Sequence, residues 1–319
     1  EQHVQRLGYA CHSDAKGNLI VMLPGCDGDR PRLLVTAHMD EIALMALKIS
    51  EDGLIHVGPL GGARCWKWGE QPVTVLADHD IEGILSYGCI HSISPLSVAQ
   101  QAAEGPLKWE QAFVFTGLSA DELHREGVRP GTRIVLSPDI RKVREMGDYV
   151  SAYFLDDRAD LAAWLLMLEA LKGREFPQGV MFAATTSEEV GGEGALFIMQ
   201  RQPPDICLAL EIGPTVPECP LPIDEQPVVW VKDGYAAIAA EDIRLMTALC
   251  ARLGQRPHWL PLSRGGSDAS CGAAKGLCAR PITLGFPVEN SHGLEIMHKH
   301  AVGELAQLGV AVVEAVCQG

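Results

Sequence analysis

The 319 residues carry 47% hydrophobic and 21% charged side chains, which suits a chain with a sizeable core and excludes a disordered one. With 26 basic residues against 41 acidic, the formal net charge is -15, which argues against nucleic acid or an anionic membrane as the main partner. Ten cysteines are scattered without a Cys-x-x-Cys pair, several of them (Cys207 among them) inside apolar runs, and they read as free thiols of a reducing, cytoplasmic compartment. No basic-then-apolar leader opens the chain, and no stretch approaches the length of a membrane span.

The first nine residues read as the tail of an amphipathic helix. Gly17 to Leu23 predicts a turn and a strand, and Arg32 to His38 a second apolar strand ending on polar chemistry. Continuous apolar runs of this kind predict strands covered on both faces. From about Met45 to Tyr149 the texture changes to short alternating segments broken by turns, which is small-barrel texture, with one short helix capped at Ser119. From Ser151 strand and helix alternate again. A helix is predicted over 157–172, a buried strand over 179–186, a helix from Gly194, and a strand over 206–210 that delivers Glu211. A helix over 240–253, a short strand over 280–285 and a final helix over 300–316 complete the chain. The expected fold is α/β, a three-layer α/β/α catalytic domain over 1–44 and 150–319 with a small β-barrel inserted over 45–149.

Active sites of α/β sheets gather at the carboxyl ends of the strands. Four apolar strands here end at His38, Asp156, Glu188-Glu189 and Glu211. Carboxylates placed there cost too much to leave unpaired, and two adjacent cations account for most of them. On this reading His38 ligates through one ring nitrogen while Asp40 orients the ring. Asp156 of the Asp156-Asp157 pair bridges two metals, although a helix N-cap would use one such aspartate as well. Glu189 ligates, and Glu188 stays free as general base and then acid. Glu211 is a terminal ligand beside His38, or a plain strand-end acid. Among His292, His298 and His300, His292 sits where a loop ligand belongs, and the other two are expected on the surface of the helix that follows. Arg264 to Ala269 is a Gly-rich turn too short for a phosphate loop, and Gly265, Gly266 and Asp268 could also have a substrate-side role.

The stretches Ala37-His38-Met39-Asp40-Glu41, Leu155-Asp156-Asp157-Arg158, Ser187-Glu188-Glu189-Val190-Gly191 and Gly265-Gly266-Ser267-Asp268 come in a familiar order and spacing. The chain resembles the glutamyl-aminopeptidase and tetrahedral-aminopeptidase group of metallo-aminopeptidases, some of which carry the label cellulase M. The resemblance covers nearly the whole chain and includes the inserted barrel. It implies two divalent metal ions, zinc or cobalt, one held by His38, Asp156 and Glu211 and the other by Asp156, Glu189 and His292. It implies a water shared between them, Glu188 as base, short peptides as substrates, and homo-oligomers that in the similar family commonly have twelve subunits. The chain departs from the family pattern at Glu211, where aspartate is frequent, and after His292, where Ser/Thr-Pro is usual. Three other readings compete: a di-metal deacylase or deacetylase of N-acyl metabolites, a glycoside hydrolase with two metal-free carboxylates, and a non-catalytic scaffold that kept its metals.

Overall fold

A computed structural model describes residues 1–25 and 31–317. Cys26 therefore lies outside the described residues, and the nine cysteines within them are all free thiols. Two bodies of sheet organise the chain. The larger sheet has eleven strands, the smaller is a closed six-stranded barrel.

At the centre of the larger sheet four strands run parallel: Val180–Thr185, Leu33–His38, Ile206–Pro214 and Arg280–Glu289, in that order. Their continuous apolar sequence has a direct cause in the pleat, which sends alternate side chains to opposite faces. Leu33, Val35 and Ala37 enter one core with Ile206, Leu208 and Leu210. Leu34 enters a second core with Cys207 and Ala209. Helices Leu155–Ala170 and Ala301–Cys317 cover the first face, and the short helices Glu193–Met199 and Asp268–Ala274 cover the second. The three-layer expectation is met.

The barrel closes through Ala43–Ile49, Ile55–Leu60, Phe113–Phe115, Asp80–Ser86, Gln71–Leu76 and Arg133–Leu136 around a core of its own. The larger sheet resumes at Arg144–Met146 and Tyr149–Tyr153, slightly earlier than residue 150. The expected cap on the barrel helix Ala120–Arg125 forms as a reciprocal box, with the Ser119 side chain accepting from the Glu122 N–H and the Glu122 side chain accepting from the Ser119 N–H.

Three element boundaries differ from expectation. The strand bearing Glu211 runs on to Pro214, because it stays paired with Arg280–Glu289 past that acid. That partner extends to Glu289 rather than stopping at Gly285. His298 belongs to a further strand, Leu294–His298, and the last helix begins only at Ala301. The pairing of Leu294–His298 with both Tyr149–Tyr153 and Arg280–Glu289 outweighs any local helical preference.

Candidate metal centre

The carboxyl ends of the parallel strands meet at one edge of the sheet. His38 is the final residue of its strand, and Glu188 and Glu189 follow Val180–Thr185 by a short turn. Asp156 and Asp157 occupy the first turn of Leu155–Ala170 in non-helical conformations, joined by a cis peptide bond. His292 sits in the turn between Arg280–Glu289 and Leu294–His298. Among the described non-glycine residues, positive φ occurs at Phe154, Ser187, Asn290 and His292. Each of these either belongs to, or lies within two residues of, a turn that carries a candidate ligand. Strained turns of this kind persist where surrounding structure fixes them, as it does at functional sites.

The ligating atoms form two groups whose members all lie within 4.8 Å of one another: His38, Asp156, Asp157 and Glu211, and then Asp156, Glu189 and His292. Asp156 belongs to both. One of its oxygens lies 3.0 Å from Nε2 of His38, the other 3.4 Å from Nε2 of His292. Nε2 of His292 is also 3.6 Å from a Glu189 oxygen. Two ligands each about 2.0–2.1 Å from a tetrahedral cation stand about 3.3–3.4 Å apart. The spacing of the His292 group suits a metal, and the donor set of imidazole and carboxylate suits a borderline cation. Asp157 is held differently: one oxygen accepts the backbone N–H of His38 at 2.6 Å, and the other is buried without a partner.

Electrostatics agree with the geometry. Burial, then the carboxylates of Asp268, Glu189 and Asp156, push Glu188 well above the usual carboxylate range. Burial does the same to Glu211, reinforced by Glu188 and Asp156, and pushes Glu189 up to about 7. Burial alone would lower His38, but Asp157, Asp156 and Glu211 outweigh it and hold the imidazole well above its ordinary value. Burial also opposes the lowered Asp156 carboxyl, which His292 and His38 pull below its ordinary range. Glu188, Glu189 and Glu211 are raised by burial and by neighbouring carboxylates for want of a positive charge, while the His38 imidazole is raised by the carboxylates around it. Cations at the two groups would supply that charge and free the imidazoles to ligate.

Outside the two groups, Asp40 differs from expectation in which atom does the work. The ring of His38 is fixed by the backbone carbonyl of Asp40, 3.0 Å from Nδ1. The Asp40 carboxylate instead accepts the backbone N–H groups of Glu188 at 3.0 Å and Glu189 at 3.2 Å. One residue thus orients a ligand and also anchors the turn carrying the base. Glu188 itself lines a cavity of about 450 Å³ beside the ligands. Gly265 and Gly266 line it too, and a β-carbon on Gly266 would lie 2.4 Å from the Tyr235 ring. Asp268 does not line that cavity. It is buried and accepts from the Thr185 hydroxyl at 2.6 Å. His298 and His300 stand apart from both ligand groups.

Glu295 was not anticipated. It is 1% exposed; one oxygen accepts the backbone N–H of Asp156 at 3.1 Å, the other that of His292 at 2.9 Å. The only local signal for it is an acid three residues after His292.

A profile of the M42 glutamyl aminopeptidase family matches residues 17–308. The chain belongs to the M42 family. It is 29% identical over 206 residues to a lysyl aminopeptidase of Pyrococcus furiosus, covering 62% of this chain and 55% of that one. The chain spans about half the length of four curated relatives it matches. Among solved structures, a TET aminopeptidase from a marine sediment thaumarchaeote superposes with a TM-score of 0.87 at 21% identity, over 100% of this chain and 92% of that one. The Pyrococcus horikoshii TET1 peptidase, described as assembling into a tetrahedron or a large octahedral shell, superposes with a TM-score of 0.81 at 24% identity, over 98% and 92%. M42 membership is thus borne out, and these likenesses show the same fold.

Proposed function

We propose that this M42 protein is a metal-dependent aminopeptidase that removes the N-terminal residue of short peptides. One observation carries the reading: the two oxygens of Asp156 face different histidines, His38 and His292, each with further carboxylates beside it. A bridging carboxylate in that position suits two divalent cations, zinc or cobalt, held by His38, Asp156 and Glu211 on one side and by Asp156, Glu189 and His292 on the other. Such a pair, when bound, acidifies an attacking water and polarises the scissile carbonyl.

The chain's own residues supply the rest. Among the described residues the Glu188 carboxylate has no side-chain hydrogen-bond partner, and its backbone is anchored by Asp40. In this reading it takes the proton of the attacking water and hands it to the departing amine. The half-enclosed cavity admits a peptide end, and the carboxylates there suit a free α-ammonium.

We further infer that the barrel serves assembly, so that the protein works as a homo-oligomer, as the TET structures do, with a dodecamer among the possible sizes. A cytoplasmic setting fits the nine free thiols. Among the described residues no helix is long and apolar enough to cross a membrane.

The test is hydrolysis of dipeptides, read as released amino acid, and of N-acetyl amino acids, read as released acetate, with and without a chelator. Chelator-sensitive cleavage confined to free amino termini supports the reading. Preference for N-acylated substrates would point to a deacylase, and chelator-resistant activity would remove the metals from the mechanism.

A further inference from the structure

We propose that the cavity beside the ligands is a chamber for a large, uncharged, apolar first residue, leucine or phenylalanine rather than an acidic or basic one; the inference rests on the aminopeptidase reading. One wall of the cavity is polar and carries Asp156, Glu188, Glu189 and His292. The lining also has an apolar part, Ile212, Pro214, Val216, Trp230 and Leu262, with Tyr235 beside it in the cavity. Val216, Trp230 and Leu262 belong, with Val228 and Leu260, to an apolar cluster separate from the cores of the larger sheet and the barrel.

That apolar part offers a guest side chain no polar partner. The one polar side-chain atom in it, Nε1 of Trp230, already donates to the backbone carbonyl of Ile212 at 3.1 Å. A substrate whose α-ammonium meets the carboxylates would lay its side chain against this surface. Leucine or phenylalanine gains apolar burial there. A charged side chain laid against those five residues would lose water with no counter-ion among them. The cavity does carry one guanidinium, Arg264, but that residue is exposed at the rim, where solvent weakens its hold on an acid.

The purified, metal-loaded protein is assayed on Leu-Ala, Phe-Ala, Glu-Ala, Lys-Ala and N-acetyl-Leu-Ala. The chamber predicts kcat/KM for Leu-Ala and Phe-Ala above those for Glu-Ala and Lys-Ala by roughly tenfold or more. Cleavage of Glu-Ala or Lys-Ala as fast as Leu-Ala overturns the chamber and leaves the aminopeptidase standing. A preference for Glu-Ala that Arg264→Ala abolishes overturns it in favour of the rim cation. Cleavage of N-acetyl-Leu-Ala alone, or of no free dipeptide, overturns the underlying reading instead.

Two variants test the apolar lining directly. Val216→Lys, at a half-buried position, lowers Leu-Ala relative to Glu-Ala by roughly tenfold. Leu262→Ala, a milder change that only enlarges the chamber, raises the ratio of Phe-Ala to Leu-Ala. Ratios unmoved in both variants overturn the assignment.

Discussion

A β-carbon added to Gly62 would lie 2.3 Å from Nδ1 of His292, a contact that real structures do not tolerate. The glycine sits just past the barrel strand Ile55–Leu60, and its carbonyl lies 3.3 Å from the same ring nitrogen. A β-carbon on neighbouring Gly61 would lie 3.2 Å from the β-carbon of Glu189. The first barrel hairpin therefore forms part of the second ligand group. Gly62 has no positive φ, so alanine strains the site rather than the backbone. Gly62→Ala is expected to keep the fold, shown by an unchanged far-ultraviolet spectrum, while kcat/KM falls on the order of a hundredfold. Wild-type activity in a folded Gly62→Ala would show that His292 does not need its present position.

Glu188→Gln is expected to keep metal content while kcat falls by roughly 10²–10⁴-fold. Loss of metal on this substitution, or retained turnover, would show that the base is misassigned. Metal analysis run beside steady-state kinetics separates these outcomes.

Glu295 ties two candidate ligand turns together through their backbone, and its two acceptors are used by two different N–H groups. Glu295→Gln keeps one acceptor and faces an N–H with a second donor; Glu295→Ala leaves both buried amides unpaired. Each orphaned amide costs about 1–3 kcal/mol. Thermal stability should therefore rank wild type above Gln above Ala, and metal affinity should drop roughly 10–100-fold. Equal melting temperatures in all three would show that the carboxylate does not anchor these turns.

The acid cluster predicts opposite pH responses with and without metal. Glu189 is raised by burial from 4.5 to about 7. His292 is opposed by burial yet raised from 6.5 to about 10 by Asp156 and Glu189. A group whose folded value is raised contributes stability present below its ordinary value and lost as pH rises through the folded one. The metal-stripped protein should thus lose stability as pH rises from about 4.5, first through Glu189 and then through His292, to about 10. Cations need both groups deprotonated, so metal binding strengthens over the same interval. The melting-temperature gap between zinc-loaded and chelated protein should widen with pH, and a gap that narrows contradicts the ligand set.

Much of this was legible in the residue order, for physical reasons. A strand such as Leu33–His38 must be apolar along its whole length when both faces are covered, and the polar residue that ends it is then conspicuous. The barrel announced itself through closely spaced turns. Contacts made across the fold left no local trace. Glu295 is 139 residues from Asp156, and Gly62 is 230 from His292. Asp157 reads in sequence like any acid in a helix's first turn, and only the structure shows it holding the His38 backbone. The division of labour within Asp40, carbonyl to His38 and carboxylate to the Glu188 turn, depends on a chain path that no spacing encodes.

The proposed role of Asp156 is to serve two cations at once. Metal content per chain, measured by mass spectrometry after zinc loading and gel filtration, tests it most directly when wild type, Glu189→Ala and Asp156→Ala are compared. Two ions, about one, and fewer than one, in that order, are the predicted result. Two ions retained by Asp156→Ala would contradict it.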